Sequence, residues 1–243
     1  MYEFTGRVRY SETDMDAKLS LTGIMNYLQD CSIFQSEDIG VGIKYLSEAG
    51  KAWLLSSWQI EILRRPELGE EIRVATWPYE FKGIYGLRNF AMYDSRGEFL
   101  VKANSCWFLT NTETGKPIRV TEEDVSPYGM GEERLSMEYA PRKITLPAEM
   151  ETVGKIHVMK HQIDTNHHVN NAQYMDMARE LLPVGTEIGA IRAEYKKAAV
   201  LGDIICLKRA RTEGAYVISL CDETGAVFST FHARIPQPLQ VVG

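Results

Sequence analysis

The sequence predicts an α+β fold in which one pattern, a helix followed by an antiparallel meander of strands, occurs twice along the chain. Three observations carry that expectation. Apolar residues at helical spacing give way to short β-rich runs, the same order of elements returns in the second half, and matching turn signals recur at corresponding places in the two halves.

In the first half, Ile24, Tyr27, Leu28, Cys31 and Phe34 fall at helical spacing within residues 22–36, with Thr22 in N-cap position, which predicts a helix with one buried stripe. The β-rich runs that follow are Trp53 to Leu63, Glu71 to Trp77, Tyr85 to Tyr93 and Glu98 to Asn111, separated by Pro66-Glu67-Leu68-Gly69 and Asp94-Ser95-Arg96-Gly97. In the second half, Asn170 to Leu182 reads as the helix. Ile188 to Lys197, Asp203 to Arg211, Ala215 to Asp222 and Ala226 to Ile235 read as its strands. Glu61, Leu68 and Gly69 align at one constant separation with Glu194, Leu201 and Gly202, and Asp94-Ser95-Arg96-Gly97 aligns with Asp222-Glu223-Thr224-Gly225. In the same element order, these coincidences suggest duplication. Between the halves, residues 121–147 are polar, acidic and interrupted by Pro127, Pro141 and Pro147. The expected organisation is an N-terminal unit 1–120, a linker 121–147 and a C-terminal unit 148–243. A helix buried against a long antiparallel sheet describes the hotdog architecture, so the expectation is a tandem, or double, hotdog.

Composition narrows the function. A chain with 44% hydrophobic and 25% charged residues can build a real core. Neither a leader-like apolar start nor a run near the roughly 18 residues of a membrane span is evident, and a cytoplasmic protein is expected. Cys31, Cys106, Cys206 and Cys221 are scattered without CxxC spacing and are expected as reduced residues in or near the core. A formal charge of −6 argues against nucleic acid or an anionic membrane as partner, because phosphate binding needs many clustered cations. Local basic groups remain at Arg64-Arg65, Lys196-Lys197 and Lys208 to Arg211.

The chemistry concentrates before the second helix. Asp164, Asn166 and His168 alternate at i, i+2 and i+4, and in an extended lead-in that spacing would point all three side chains one way. A carboxylate or imidazole to activate water and an amide to steady an oxyanion suit the splitting of a thioester. The following helix N-terminus favours negative charge at the same place. The competing reading is structural, since Asp, Asn and His also cap helices, and Asn170 or Asn171 alone could serve as the N-cap. His161 and His167 fall off the alternating face. Gly-x-Ser-x-Gly elbows, Gly-rich phosphate loops and metal-binding His or Cys patterns are absent from the sequence, so covalent serine chemistry, nucleotide binding and a metal have no support.

The segment Asp164-Thr165-Asn166-His167-His168-Val169-Asn170-Asn171-Ala172-Gln173-Tyr174 resembles the D-x-N-x-HVNN-x-x-Y signature of the plant and bacterial acyl-ACP thioesterases. Ile24 to Asp30, Arg65 to Trp77 and Ala103 to Phe108 also resemble that family, so the likeness covers nearly the whole chain. The resemblance implies a double hotdog that hydrolyses fatty acyl-ACP to free fatty acid and acyl carrier protein, ends fatty acid synthesis and needs no cofactor. It implies that Asp164, Asn166 and His168 are catalytic. It also implies that the first unit holds the acyl chain, with Met25, Leu28, Phe34, Trp53, Trp58 and Trp107 as candidate liners, although core packing competes for each. Where the plant pattern reads L-E-Y-R-R-E-C, with a catalytic Glu, this chain has Ala198 and Ala199 at the last two positions. Glu194 lies four strand residues away, roughly 13 Å. Either the three residues suffice, another acid such as Glu180 or Asp176 approaches, or activity is reduced. An acyl-CoA hydrolase, a non-catalytic acyl-binding protein and, more weakly, a dehydratase are the alternatives. Both a monomer and a homodimer are compatible with a double hotdog. Around Asp14 to Leu21 the first half reproduces no Asn and His pair, so one active site per chain is expected.

Overall fold

The structure, a computed structural model, describes residues 1–129 and 132–236. Positions 130, 131 and 237–243, which fall within the expected linker and second unit, lie outside the described residues. The chain divides into two compact units, Met1–Ala140 and Pro141–Gly243.

The first unit runs β1 (Tyr2–Arg7), α1 (Leu21–Asp38), α2 (Ile43–Glu48), β2 (Lys51–Ile62), β3 (Glu71–Lys82), β4 (Tyr85–Tyr93), β5 (Phe99–Asn111) and a short α3 (Glu122–Val125). Its strands lie in the order β1-β3-β4-β5-β2, each neighbouring pair antiparallel. Helix α1 starts earlier than expected: Ser20, not Thr22, is its N-cap, and the Ser20 side chain accepts from the Gly23 N–H at 3.0 Å. Ile24, Met25, Leu28 and Cys31 are buried, and α1 packs on β1, β3 and β4. Each such aliphatic side chain contributes about 1.5–3 kcal/mol of burial. Phe34 departs from the expected stripe. It is 44% exposed and meets Phe4 edge-on at 5.4 Å, while its neighbour Gln35 takes the buried place. Both 34 and 35 satisfy helical spacing from Cys31, so periodicity alone chose the apolar one.

The second unit repeats the plan with β6 (Glu151–His157), α4 (Asn171–Arg179), β7 (Ala190–Tyr195), β8 (Ile204–Thr212), β9 (Ala215–Cys221) and β10 (Val227–Arg234). Its sheet order, β6-β8-β9-β10-β7, is the first unit's order element for element. Each helix with its antiparallel sheet is a hotdog fold, present twice in the chain. Helix α4 ends before the expected Leu182, in turn bonds from Leu181 and Leu182 back to Ala178 and Arg179, because Pro183 follows.

The duplication reaches single hydrogen bonds. Val8 N–H donates to the Glu70 carbonyl and Val158 N–H to that of Asp203, at 3.0 and 2.9 Å. Asp94 closes its turn by accepting from the N–H groups of Arg96 and Glu98. Asp222 does the same with Thr224 and Ala226, all four at 2.9 Å. Gly97 and Gly225 take φ of 84° and 91° in those turns, a backbone that favours glycine. The edge strands β1 and β6 were not anticipated. Each pairs along one side only, so its sequence is too polar to read as a buried run.

Residues 132–140 pack on the first unit, with Trp77 Nε1 donating to the Glu133 carbonyl at 2.9 Å and Leu135 N–H to Asn89 Oδ1 at 3.0 Å. In the second unit, buried Ile144 donates its N–H to Glu194 Oε2 at 3.0 Å. All four cysteines are free thiols, buried except for Cys106, which is half-buried.

Removing the α1 cap should be felt. Ser20→Ala is expected to cost about 1 kcal/mol in urea denaturation, whereas Ser20→Asp should retain the cap and most of the stability.

Candidate active site

The segment before α4 is a tight turn, not the extended lead-in the alternation predicts. Ile163 and Val169 form a bridge at its base. Above it Asp164 N–H donates to the His168 carbonyl at 2.8 Å and His167 N–H to the Asp164 carbonyl at 3.0 Å. The Asp164 carboxylate closes the turn, Oδ1 accepting from Asn166 N–H at 2.8 Å and more loosely from His168 N–H at 3.4 Å. His167 supplies the left-handed residue, with φ 61°. An aspartate reaching its own backbone two residues on is strong turn chemistry, and here it overrides the period-two reading. Asp164 and His168 consequently flank the neck of the turn, both partly buried, and Asn166 stands at its exposed tip.

The first unit contains the same turn. Asp14 N–H donates to the Lys18 carbonyl at 2.9 Å, Ala17 N–H to the Asp14 carbonyl at 3.0 Å and Asp16 N–H to Asp14 Oδ1 at 3.1 Å, and Ala17 takes φ 56°. Asp14, Asp16 and Lys18 therefore stand where the second unit has Asp164, Asn166 and His168. The turns are anchored alike: Leu19 N–H reaches the Pro66 carbonyl at 2.8 Å, and Val169 N–H the Ala199 carbonyl at 2.9 Å. That pairing puts Arg65 and Ala198 at equivalent positions. Arg65 binds the Asp14 carboxylate and approaches Asp16 at 3.6 Å, locking the first turn. Ala198 is a methyl group on an exposed stretch. Asp164 Oδ2 and the side chains of Asn166 and His168 have no partner among the described residues.

Several residues of the motif serve the scaffold in the same way as their counterparts in the first turn. Val169 is buried, as Leu19 is, and holds the base of the turn. Asn170 is the N-cap, its side chain accepting from Ala172 N–H at 2.9 Å, as Ser20 does for α1. Tyr174 accepts the Ala199 N–H at 2.8 Å. The equivalent Pro66 has no N–H, and Ile24 replaces the tyrosine. A buried amide needs an acceptor, and this one is supplied from the helix. Burial pushes the Tyr174 phenol up to about 12, so it stays neutral in that role. The side chains of Asn166 and His168 make no such bond among the described residues, and in sequence they lead directly into the N-terminus of α4, the positive end of its dipole.

The other candidate acids are not brought to this turn. Glu194 is buried on β7, bound to Ile144 N–H and 3.7 Å from Lys196 Nζ. Glu180 lies past the far end of α4, about 13 Å along a helix of nine residues, beside Arg179. Asp176 sits midway along that helix. His161 and His167 are exposed. Among the liners, Met25, Leu28 and Trp58 are buried in the first unit, Trp58 packing on Phe90 at 4.7 Å and on Trp107 at 6.5 Å. Trp53 and Trp107 are half-buried, and Phe34 faces outward. Among the described residues no group of three His, Cys, Asp or Glu side chains could hold a metal, and no helix is long and apolar enough to cross a membrane. The role of Ala198 escaped the sequence reading, although the constant separation already placed it opposite Arg65.

Two family profiles match the chain: Acyl-ACP thioesterase N-terminal domain over residues 1–128 and Acyl-ACP thioesterase C-terminal domain over residues 145–226. A chloroplastic palmitoyl-acyl carrier protein thioesterase of Gossypium hirsutum is 26% identical over 86% of this chain and 55% of its own length. The chain thus spans little more than half of that relative. Among solved structures, an acyl-ACP thioesterase from Bacteroides thetaiotaomicron superposes with a TM-score of 0.86 at 23% identity, covering 96% of this chain and 97% of that one. A 12:0-ACP thioesterase from Umbellularia californica gives 0.85 at 18% identity, covering 97% and 96%. At such identities these two likenesses establish the fold.

The carboxylate at the neck is expected to be structural as well as chemical. Asp164→Ala should lower stability by about 1–2 kcal/mol, and Asp164→Asn by less, because an amide oxygen still accepts the turn's N–H groups. Denaturant midpoints of the two variants check this.

Proposed function

The chain belongs to the acyl-ACP thioesterase family, and we propose that it hydrolyses fatty acyl-ACP to a free fatty acid and acyl carrier protein, ending fatty acid synthesis, with the turn 164–168 as its reaction centre. The single observation that carries this assignment is the difference between two otherwise equivalent turns. One is locked by Arg65, while the other carries Asn166 and His168 with unengaged side chains and only a methyl group at 198.

In this reading His168 takes a proton from water, the resulting oxygen attacks the thioester carbonyl, and the developing oxyanion is held by the Asn166 amide and the N-terminus of α4. Collapse of the tetrahedral adduct breaks the C–S bond, and the His168 proton passes to the departing thiolate of the carrier. Asp164 holds the turn through Oδ1 and presents Oδ2 to the same water. Its commitment to two backbone N–H groups favours this role over direct attack. With Ala at 198, and with Glu194 and Glu180 engaged elsewhere, the three residues in this reading act without a second carboxylate. The acyl chain enters the interior of the first unit beside Met25, Leu28, Trp58 and Trp107, and Phe34 is withdrawn from that set. The cytoplasm is the location this proposal assigns.

Purified chain is expected to release free fatty acid and thiol from acyl-ACP over many turnovers, and faster than from acyl-CoA. His168→Ala should lower kcat by about a hundred-fold to ten-thousand-fold with an unchanged melting temperature. Ala198→Arg should recreate the ion pair of the first turn and silence hydrolysis while leaving the fold at least as stable. Full activity in both variants would remove the turn from consideration. Binding without turnover in the wild type would make the chain an acyl-binding protein instead.

A further inference from the structure

Helix α4 is half as long as its counterpart α1, nine residues against eighteen. In the first unit the second half of α1 lies over the sheet, where Gln35 accepts from Arg88 on β4, and Arg88 donates again to Thr76 Oγ1 at 3.2 Å. In the second unit Pro183 has ended the helical path before that point. The equivalent stretch of sheet lines an open cavity of about 560 Å³, at the opposite end of α4 from the turn 164–168.

Strand register identifies what stands there. Arg88 and Tyr216 each lie six residues before the aspartate of their turn, Asp94 or Asp222. Pro78 pairs with Arg88 as Arg211 pairs with Tyr216, and Thr76 with Phe90 as Arg209 with Ile218. The second sheet therefore carries two arginines where the first has a threonine and a proline. Arg209 is on the helix-facing side, since its Nη1 donates to the Leu181 carbonyl just past α4 at 2.7 Å, while Nη2 meets Glu151 Oε2 at 2.9 Å. Arg211, two strand positions on, shares that face.

The two guanidiniums differ in what they leave free. Arg209 is held at both ends and its charge is balanced by Glu151. Arg211 has its guanidinium carbon 6.0 Å from the centre of the Tyr216 ring and no carboxylate partner among the described residues. Met150, Pro183 and Tyr216 add apolar surface to the cavity, and Glu149 lines it without an ion pair among the described residues. A concavity of this volume is in the range of small-molecule sites, roughly 300–1,000 Å³. The free fork of N–H donors matches a carboxylate or a phosphate. Charge decides between them: one uncompensated cation balances a single negative charge, and the second charge of a phosphate would be repelled by Glu149 and Glu151.

We propose that this cavity binds a small organic carboxylate, its anionic head on Arg211 and its hydrocarbon body against Met150, Pro183 and the Tyr216 ring. The site is distinct from the reaction turn and does not rest on the thioesterase reading.

Titration calorimetry of the full chain with hexanoate, at constant ionic strength, is the test. Hexanoate is expected to fill one Arg211-dependent site per chain, with inorganic phosphate binding at least about ten-fold more weakly. Arg211→Ala should weaken hexanoate binding about ten-fold or more, and Arg211→Lys, which keeps the charge but loses the fork, by less. Arg211 is exposed, so both variants should melt with the wild type. Lys208→Ala removes the same charge from the neighbouring position on the other face of the sheet and should leave hexanoate binding unchanged. Hexanoate binding untouched by Arg211→Ala, or lowered equally by Lys208→Ala, overturns the proposal. So does a wild-type chain that binds no hexanoate saturably, or one that prefers phosphate. A chain inert toward acyl-ACP that still binds hexanoate through Arg211 overturns the thioesterase reading and upholds this one.

Discussion

Both halves of this protein depend on a carboxylate that bends the chain back on itself just before a helix. Asp14 and Asp164 accept backbone N–H groups of their own turns, and that closure delivers Leu19 or Val169 into the core and Ser20 or Asn170 to the helix cap. The helix in turn buries its apolar face on the sheet. Without the turn the cap and the first buried side chain lose their positions together, so one local hydrogen-bond pattern fixes where each hotdog begins. The anchor is the carbonyl of Pro66 or Ala199, which ties the turn to the loop between β2 and β3 or between β7 and β8.

Duplication lets the molecule act as its own control. Two turns with the same hydrogen bonds differ in what they leave free. In the first, Asp14 is neutralised by Arg65 in a partly buried ion pair, and Asp16 lies 3.6 Å from the same guanidinium. In the second, replacing the arginine with alanine leaves a carboxylate oxygen, an amide and an imidazole without partners beside a helix N-terminus. An arginine at position 198 would satisfy Asp164 and close the turn, as Arg65 does in the first unit. Tyr174 accepts the buried Ala199 N–H, a donor that Pro66 removes in the other half.

The interior of the first unit shows a second kind of constraint, set by a cation rather than a turn. Arg88 is held by Gln35 and Thr76 under α1, and an otherwise hydrocarbon interior acquires a polar end.

The sequence by itself determined the fold class, the order of the main helix and the four strands after it in each half, and the repeat, and it singled out residues 164–171 as the candidate segment for chemistry. Each of these is written in local patterns: the spacing of apolar residues, glycine and aspartate at turns, and a motif of contiguous residues. Tertiary structure decided what local pattern leaves degenerate. The edge strands β1 and β6 are too polar to declare themselves and exist because a neighbouring strand offers hydrogen bonds. Between Phe34 and Gln35, equally spaced from Cys31, a buried arginine across the sheet chose the glutamine. The alternation of Asp164, Asn166 and His168 promised an extended strand, and the aspartate's own hydrogen bonds made it a turn. The sequence marked Ala198 as standing where the plant pattern has a Glu, and folding made it the counterpart of Arg65, whose contact with Asp14 shows what a longer side chain there would reach.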